Sequence, residues 1–174
     1  MGASDRARNV RLMAFDIDGV MTDGRLYFTA SGEEVKAFHS RDGVGLKMLQ
    51  SAGIELAIVT GRTARVVELR AQNLGIKHLR QGIDDKRGAL TDLARDLGLD
   101  LARCGYMGDD VVDLPVLRAC GFSASVPDGD PRVLAVVDYV SMAPAGAGAV
   151  REVCEFILRA QGRLDAALEP WSGK

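Results

Sequence analysis

The sequence has 174 residues, a length that fits one domain with a full core and is too short for two ordinary domains. Hydrophobic residues make up 47% and charged residues 26%, as in an ordinary globular protein, and the net charge of −2 argues against nucleic acid as the main partner. No apolar run approaches the ~20 residues that span a bilayer, and the amino end lacks the apolar core of a secretion signal. We therefore expect a cytoplasmic protein with neither a nucleic-acid nor a membrane partner.

Apolar runs alternate with helical patterns along most of the chain. The predicted strands cover residues 10–16, 54–60, 76–80, 103–108, 121–126 and 137–141. The predicted helices cover residues 42–52, 63–74, 85–98, 110–119, 130–136 and about 147–162. This alternation predicts parallel strands joined by right-handed crossovers, and hence an α/β fold with a layered, Rossmann-like parallel sheet.

Two segments depart from this alternation. Residues 25–38 have apolar arms around a Ser-Gly turn and predict a β-hairpin that projects from the sheet. Residues 163–174, after the last helix, predict a loosely held tail. Three widely spaced cysteines, Cys104, Cys120 and Cys154, form no CxxC motif and predict free thiols in the core.

Two carboxylates, Asp16 and Asp18, follow the first predicted strand within FDIDGVMTDG. Side chains two apart on an extended chain point the same way, so these anions repel unless a cation lies between them. Oxygen ligands on a short loop favour Mg²⁺, and Gly19 and Gly24 permit a tight turn there. The alternative is one helix-capping Asp and one turn Asp.

Polar groups also follow two other strands. Thr60, Gly61 and Arg62 follow the second main strand, where a hydroxyl and helix-start N–H groups suit a phosphate. Lys86, at the start of the helix that follows the third strand, brings a cation to the same rim. A capping Thr and a solvated Lys are the alternative interpretations.

Three acids cluster after the strand RCGYM: Asp109, Asp110 and Asp113. They are either part of a metal site or ordinary acids of a first helical turn. Because ligands bind beyond the carboxyl ends of parallel strands, their coincidence with the other polar groups favours the metal site.

These groups together predict phosphate ester hydrolysis. Asp16 attacks phosphorus and forms an aspartyl phosphate, and Asp18 protonates the leaving oxygen and then activates water. Mg²⁺ between Asp16 and Asp109, with Thr60 and Lys86, balances charge on the phosphoryl oxygens.

The order DxDGxxTDG, Thr-Gly-Arg, Lys and GDDxxD resembles that of the haloacid-dehalogenase-like phosphatases. More narrowly, FDIDGVMTDG, FHSRDGVGLKML, VTGRTARVVELR, GYMGDDVVDLPVL and AVREVCEFILRAQGRLD resemble the 3-deoxy-D-manno-octulosonate 8-phosphate phosphatase family, over nearly the whole chain. The resemblance implies a Mg²⁺-dependent hydrolase of lipopolysaccharide sugar synthesis, with a minimal hairpin cap. It also implies a homotetramer whose active sites are completed by neighbouring subunits.

The resemblance also assigns roles by position. It implies that Asp16, the Asp18 backbone carbonyl and Asp109 bind the metal, with Asp110 and Asp113 supporting them. It places the following residues around the sugar acid: Asp18, His39, Ser40, Arg41, Asp42, Gly43, Lys47, Arg62, Arg70 and Lys86. The carboxyl end is expected to be flexible and to reach a neighbouring active site, although Trp171 extends it. A separate departure from the family lies in PAGAGAVRE, where Ala147 stands in place of an Arg that relatives often carry.

Three alternatives remain open at this point. One is a phosphatase for a nine-carbon keto acid phosphate, of deoxynononate or sialic-acid type, on the same scaffold. A signalling receiver domain also forms an aspartyl phosphate beside Mg²⁺, but it lacks an acid two residues after the phosphorylated Asp. A catalytically silent subunit is the third, and the complete set of acids argues against it.

Overall fold

The computed structural model describes residues 2–173. Its strands are β1 Leu12–Phe15, β2 Tyr27–Phe28, β3 Glu34–Val35, β4 Glu55–Val59, β5 His78–Arg80, β6 Cys104–Met107, β7 Phe122–Ser125 and β8 Tyr139–Val140. Its α-helices are α1 Ala3–Arg8, α2 Ser40–Ser51, α3 Arg65–Leu74, α4 Lys86–Asp96, α5 Leu114–Leu117, α6 Pro131–Leu134, α7 Ala149–Ala160 and α8 Leu164–Leu168. Short 3₁₀ turns cover Leu101–Arg103, Val111–Asp113 and Glu169–Trp171.

Six parallel strands form the main sheet in the order β5-β4-β1-β6-β7-β8, which confirms the predicted fold class. β1 lies at the centre, where Leu12 pairs with Glu55 of β4 on one side and Cys104 of β6 on the other. After β1, the strands β4 and β5 are added on one side of it, and β6, β7 and β8 are then added on the other side. The order of strands therefore reverses beside β1, and a crevice opens there beyond the carboxyl ends of the strands.

The sheet is apolar on both faces because helices cover both of them. Along β1, Met13 and Phe15 join the core beneath α2, α3 and α7, while Leu12 and Ala14 join the core beneath α4 and α5. This alternation is the period-two pattern of an extended chain, applied to a strand that is buried throughout.

The predicted hairpin forms, with shorter arms than the sequence indicated. β2 and β3 pair antiparallel, Tyr27 opposite Val35 and Phe28 opposite Glu34. Gly32 has a positive φ of 84° in the turn, a conformation that glycine adopts without strain.

The structure differs from the sequence prediction at both ends of the chain. The polar amino end forms α1, whose Ala7 is buried and whose Ala7 carbonyl accepts a hydrogen bond from the Gln161 amide. The segment predicted as a loose tail contains α8, which packs Leu164 and Leu168 against the core beside α2 and α7. Both segments are short, so a few apolar side chains and the surface they meet decide their structure.

The predicted helix 110–119 is divided into a 3₁₀ turn and α5. The division lies at Asp113, whose carboxylate accepts hydrogen bonds from the backbone of Asp109 and Asp110 and tightens the chain there.

All three cysteines are buried free thiols, as predicted. No helix within residues 2–173 has both the length and the apolar character that crossing a membrane requires.

Candidate active site

A cavity of about 590 Å³ lies beyond the carboxyl ends of β1, β4 and β6. It is lined by ten of the residues that the sequence singled out: Asp16, Asp18, Gly19, Gly24, Thr60, Gly61, Arg62, Lys86, Asp109 and Asp110. Parallel strands bring these groups to one rim from segments that are far apart in the chain.

Asp16 is held at the end of β1 by a buried ion pair. Its Oδ2 accepts a hydrogen bond from Lys86 Nζ at 2.5 Å, and its Oδ1 accepts one from the Ile17 N–H at 2.7 Å. Lys86 Nζ also donates to Asp113 Oδ1 at 2.7 Å, so one cation joins two carboxylates. A buried charge is stable only when it is paired and hydrogen-bonded, and this ammonium meets that condition.

Asp113 organises the loop that carries the other acids. It is completely buried, and its Oδ1 also accepts a hydrogen bond from the Tyr106 hydroxyl at 3.1 Å. Its Oδ2 accepts from the backbone N–H groups of Asp109 and Asp110 at 3.1 and 3.2 Å. Because donors occupy both oxygens, Asp113 fixes Lys86 and the Asp109 backbone.

The acids crowd each other, and their pKa values reflect it. Burial, followed by the charges of Asp113, Asp16 and Asp110, raises the pKa of Asp109 to about 7. Burial also raises the pKa of Asp16, with Lys86 opposing the shift. Burial alone would lower the pKa of Lys86, but the charges of Asp16 and Asp113 raise it above its ordinary value. The cluster is therefore short of positive charge, although Lys86 is fully protonated.

This cluster fits a divalent cation. One oxygen each from Asp16, Asp109 and Asp113 lie within 4.8 Å of one another. Carboxylate oxygens are the ligands that Mg²⁺ prefers, and a cation among them relieves their repulsion. Gly19 lies so close that a Cβ on it would be 2.1 Å from Asp109 Oδ2, so the backbone after β1 is packed against this carboxylate.

The hairpin brings two further charged residues to the site, Glu34 and Lys36, which the sequence analysis missed. Lys36 forms ion pairs with Asp18 Oδ1 and, at 2.7 Å, with Glu34 Oε1. Arg62 lies 3.3 Å from Glu34 Oε1 and 3.7 Å from Asp18 Oδ2. The available signal was the alternation Glu34-Val35-Lys36 on a hairpin arm, which places both charges on one face.

The segment predicted to meet the sugar acid does not reach the cavity of its own chain. Asp42 is buried, and its Oδ1 accepts a hydrogen bond from the Arg151 N–H at 2.9 Å, in the first turn of α7. Gly43 is also buried, and a Cβ on it would lie 2.9 Å from Arg70 Nη2. These contacts position α2 against α7 and α3, and the substrate roles of Asp42 and Gly43 stay predictions.

The remaining members of that group surround the start of α2. The Arg70 guanidinium stacks over the Phe38 ring at 5.4 Å and donates to the His39 carbonyl at 3.4 Å. Arg41 lines a separate concavity of about 350 Å³ beside α7. Ser40 and Lys47 are exposed on α2, also outside the cavity that holds Asp16.

The parallel sheet, the projecting hairpin and the acid cluster with its lysine define a haloacid dehalogenase-like hydrolase. A sequence model of the haloacid dehalogenase-like hydrolase family matches residues 80–152. The 3-deoxy-D-manno-octulosonate 8-phosphate phosphatase KdsC of Escherichia coli K12 is 46% identical over 162 residues, covering 93% of this chain and 86% of the relative. The KdsC of Yersinia pestis is also 46% identical, covering 93% and 87%. This chain belongs to the KdsC family of 3-deoxy-D-manno-octulosonate 8-phosphate phosphatases.

Solved structures are similar over the same length. The phosphatase of this name from Moraxella catarrhalis, in complex with magnesium ion, phosphate ion and KDO, superimposes with a TM-score of 0.96 at 45% identity and covers 98% of both chains. The cobalt-bound form of the enzyme from Haemophilus influenzae has a TM-score of 0.89 at 41% identity, covering 92% of this chain and 94% of that one. The fold is therefore common to these proteins over nearly their whole length.

Proposed function

We propose that this protein is a magnesium-dependent phosphatase that hydrolyses 3-deoxy-D-manno-octulosonate 8-phosphate to the free sugar acid and phosphate, in lipopolysaccharide synthesis. The main observation behind the mechanism is that carboxylate oxygens of Asp16 and Asp109 lie within 4.8 Å of each other, while Lys86 donates a hydrogen bond to Asp16. Membership of the KdsC family supports the substrate.

Asp16 is the nucleophile. Lys86 and the Ile17 N–H hold its carboxylate in one orientation at the floor of the cavity. A carboxylate oxygen forms a bond to phosphorus as the bond to the sugar oxygen breaks, which gives a phosphorylated Asp16. Thr60, Gly61 and Lys86 line the space that the phosphoryl group enters, and the ammonium there stabilises the charge of the transferred group.

Magnesium would be held by Asp16, Asp109 and the Asp18 backbone carbonyl. When bound, it supplies positive charge that offsets the carboxylates and the phosphoryl oxygens. Asp113 and Asp110 keep the Asp109 loop in place.

Asp18 serves both half-reactions. Its carboxyl group gives a proton to the sugar oxygen as that oxygen leaves. Asp18 then takes a proton from water, the water oxygen bonds to phosphorus, and the bond to Asp16 breaks. Phosphate leaves and Asp16 returns to its carboxylate form.

Five of the predicted substrate-binding residues would act only in an assembly of several subunits: His39, Ser40, Arg41, Lys47 and Arg70. These residues lie outside the cavity of their own chain, and in a homotetramer they would be available to a neighbour's site. Arg is suited to this role because its guanidinium binds carboxylates with two hydrogen bonds. The three buried free thiols agree with a reducing compartment such as the cytoplasm.

The test is phosphate release from the eight-carbon substrate, a nine-carbon keto acid phosphate and simple hexose phosphates, with magnesium or with a chelator. We expect the highest kcat/KM for the eight-carbon substrate and loss of turnover with the chelator. A higher kcat/KM for the nine-carbon substrate would overturn the substrate assignment while leaving the chemistry intact.

A further inference from the structure

Lys36 occupies an unusual position for a lysine on a small projecting hairpin. It follows β3 directly, and its side chain is only 1% exposed. Glu34 lies two residues earlier, and Val35 between them is exposed on the opposite face. The pairing of Tyr27 with Val35 sets this register, which turns Lys36 towards Asp18 and Glu34 towards Arg62.

The contacts of Lys36 are with two acids. Its ammonium bonds to Asp18 Oδ1 and to Glu34 Oε1, and the hydrogen bond from Lys36 holds the pKa of Glu34 below its usual value. Glu34 offsets the charge of Lys36, so this pair presents to Asp18 a fixed hydrogen-bond donor with little net charge. A buried lysine is stable only with such partners, which ties the hairpin arm to Asp18.

The two oxygens of Asp18 are in different surroundings. Oδ1 is bound by Lys36, while Oδ2 makes no hydrogen bond within residues 2–173 and is buried near Arg62. Asp18 and Arg62 both line the cavity. We propose that Lys36 is a positioning residue, which binds Asp18 Oδ1 so that Oδ2 is held ready to exchange a proton with the leaving oxygen and with water.

This inference rests on the proposed function of Asp18, and the leaving group separates it from other roles. A sugar alcohol must be protonated as it leaves, whereas p-nitrophenol departs as a stable phenolate. The measured quantity is kcat/KM, because it reports the steps up to alcohol release. The substrates are 3-deoxy-D-manno-octulosonate 8-phosphate, glycerol 3-phosphate, which is an alkyl ester without a carboxylate, and p-nitrophenyl phosphate.

Lys36→Met keeps the length of the side chain and removes the ammonium. We expect it to lower kcat/KM for both alkyl esters by about 30- to 100-fold, within the range of general acid catalysis, and for p-nitrophenyl phosphate by less than about threefold. Lys36→Arg should recover part of the alkyl ester activity, since it restores a donor. Lys77→Met, which removes an exposed lysine far from the cavity, should behave as wild type on all three substrates.

Two results would overturn the inference. Equal losses on all three substrates would show that Lys36 serves folding or phosphate binding, and a loss confined to the sugar acid phosphate would show that it contacts the substrate carboxylate. If the wild-type protein fails to hydrolyse the sugar acid phosphate, the proposed substrate is wrong, but the comparison of glycerol 3-phosphate with p-nitrophenyl phosphate still tests Lys36.

Discussion

Asp16 and Asp18 are two residues apart and have different partners, which matches the different roles proposed for them. Asp16 is buried against Lys86 and the Ile17 N–H, in an orientation that suits a nucleophile. Asp18 lies on the side of the hairpin, where Lys36 binds one of its oxygens. The two acids therefore differ because Asp16 faces the start of α4, whereas Asp18 faces the hairpin.

Substitution of either acid tests these roles. We expect Asp16→Asn to remove nearly all turnover, because an amide does not attack phosphorus, and Asp18→Asn to lower it by about 10²- to 10⁴-fold through loss of proton transfer. Phosphate release measures the effect, and thermal unfolding shows whether the fold persists, as we expect. Asp92→Asn, at an exposed carboxylate on α4, is the matched control. Near-native activity of either active-site variant would contradict its assignment.

Gly19 offers a test of the metal site through the backbone. Its φ of +83° and its contact with Asp109 both exclude a side chain, whereas Gly53 has a φ of +72° and open space around it. Gly19→Ala and Gly53→Ala should each lower the free energy of unfolding by about 1–2 kcal/mol from the positive φ. Only Gly19→Ala should also weaken magnesium binding, as measured by calorimetry. Equal magnesium affinity in the two variants would show that Gly19 does not govern the Asp109 position.

At the scale of elements, the hairpin shows how a short segment acquires a role. Two strands of two residues each are not stable alone in water. Lys36 and Arg62 join this hairpin to Asp18, while Tyr27 donates a hydrogen bond to Asp23 at its base. The charged contacts with the site therefore determine where the hairpin lies, and the sequence analysis, which treated it only as a cap, missed them.

The carboxyl end gives a second prediction at this scale. Deleting residues 163–174 should lower turnover if the tail reaches a neighbouring active site. The deletion should not destroy the site, because none of residues 163–173 lines the cavity of this chain. The deletion should also lower the melting temperature, since Leu164 and Leu168 pack against the core. A shorter deletion of residues 169–174 retains α8 and should retain the melting temperature. An unchanged rate in the longer deletion would refute a role of the tail in turnover.

At the scale of the whole molecule, the sheet topology brings several acids to one rim. The free energy of unfolding should therefore depend on pH. The pKa of Asp109 rises from 3.8 to about 7 in the folded, metal-free protein. Between these pH values the folded state holds a proton that the unfolded chain has lost, so this group's contribution to stability falls as the pH rises. It is fully present below pH 3.8 and is lost as the pH passes 7.

Magnesium binding must displace that proton. Affinity should therefore rise by about tenfold per pH unit below pH 7 and level off above it. Calorimetry at pH 6 and pH 8, in buffers of different ionisation enthalpy, measures both the affinity and the proton released. An affinity that is independent of pH, with no proton released, would show that Asp109 is already ionised in the metal-free protein.

Local patterns predicted most of the fold. The alternation of strands and helices specified the parallel sheet, because a buried strand and an amphipathic helix each have a short-range signature. The motif DxDG, Thr60, Lys86 and GDDxxD predicted the groups around the cavity, because the carboxyl ends of parallel strands converge whatever the details of packing. Helix α1 was missed since its stability depends on packing against α7.

The chain by itself determined which acids and which lysine come together at the cavity, since these residue types follow successive strands at fixed spacing. Only the tertiary structure decided the partners of each group. It buried Asp42 against α7, kept Arg41 and Arg70 outside the cavity of their own chain, and brought Lys36 to Asp18. The physical reason is that an ion pair between residues on different elements depends on how those elements pack, and no local pattern in the sequence encodes that distance.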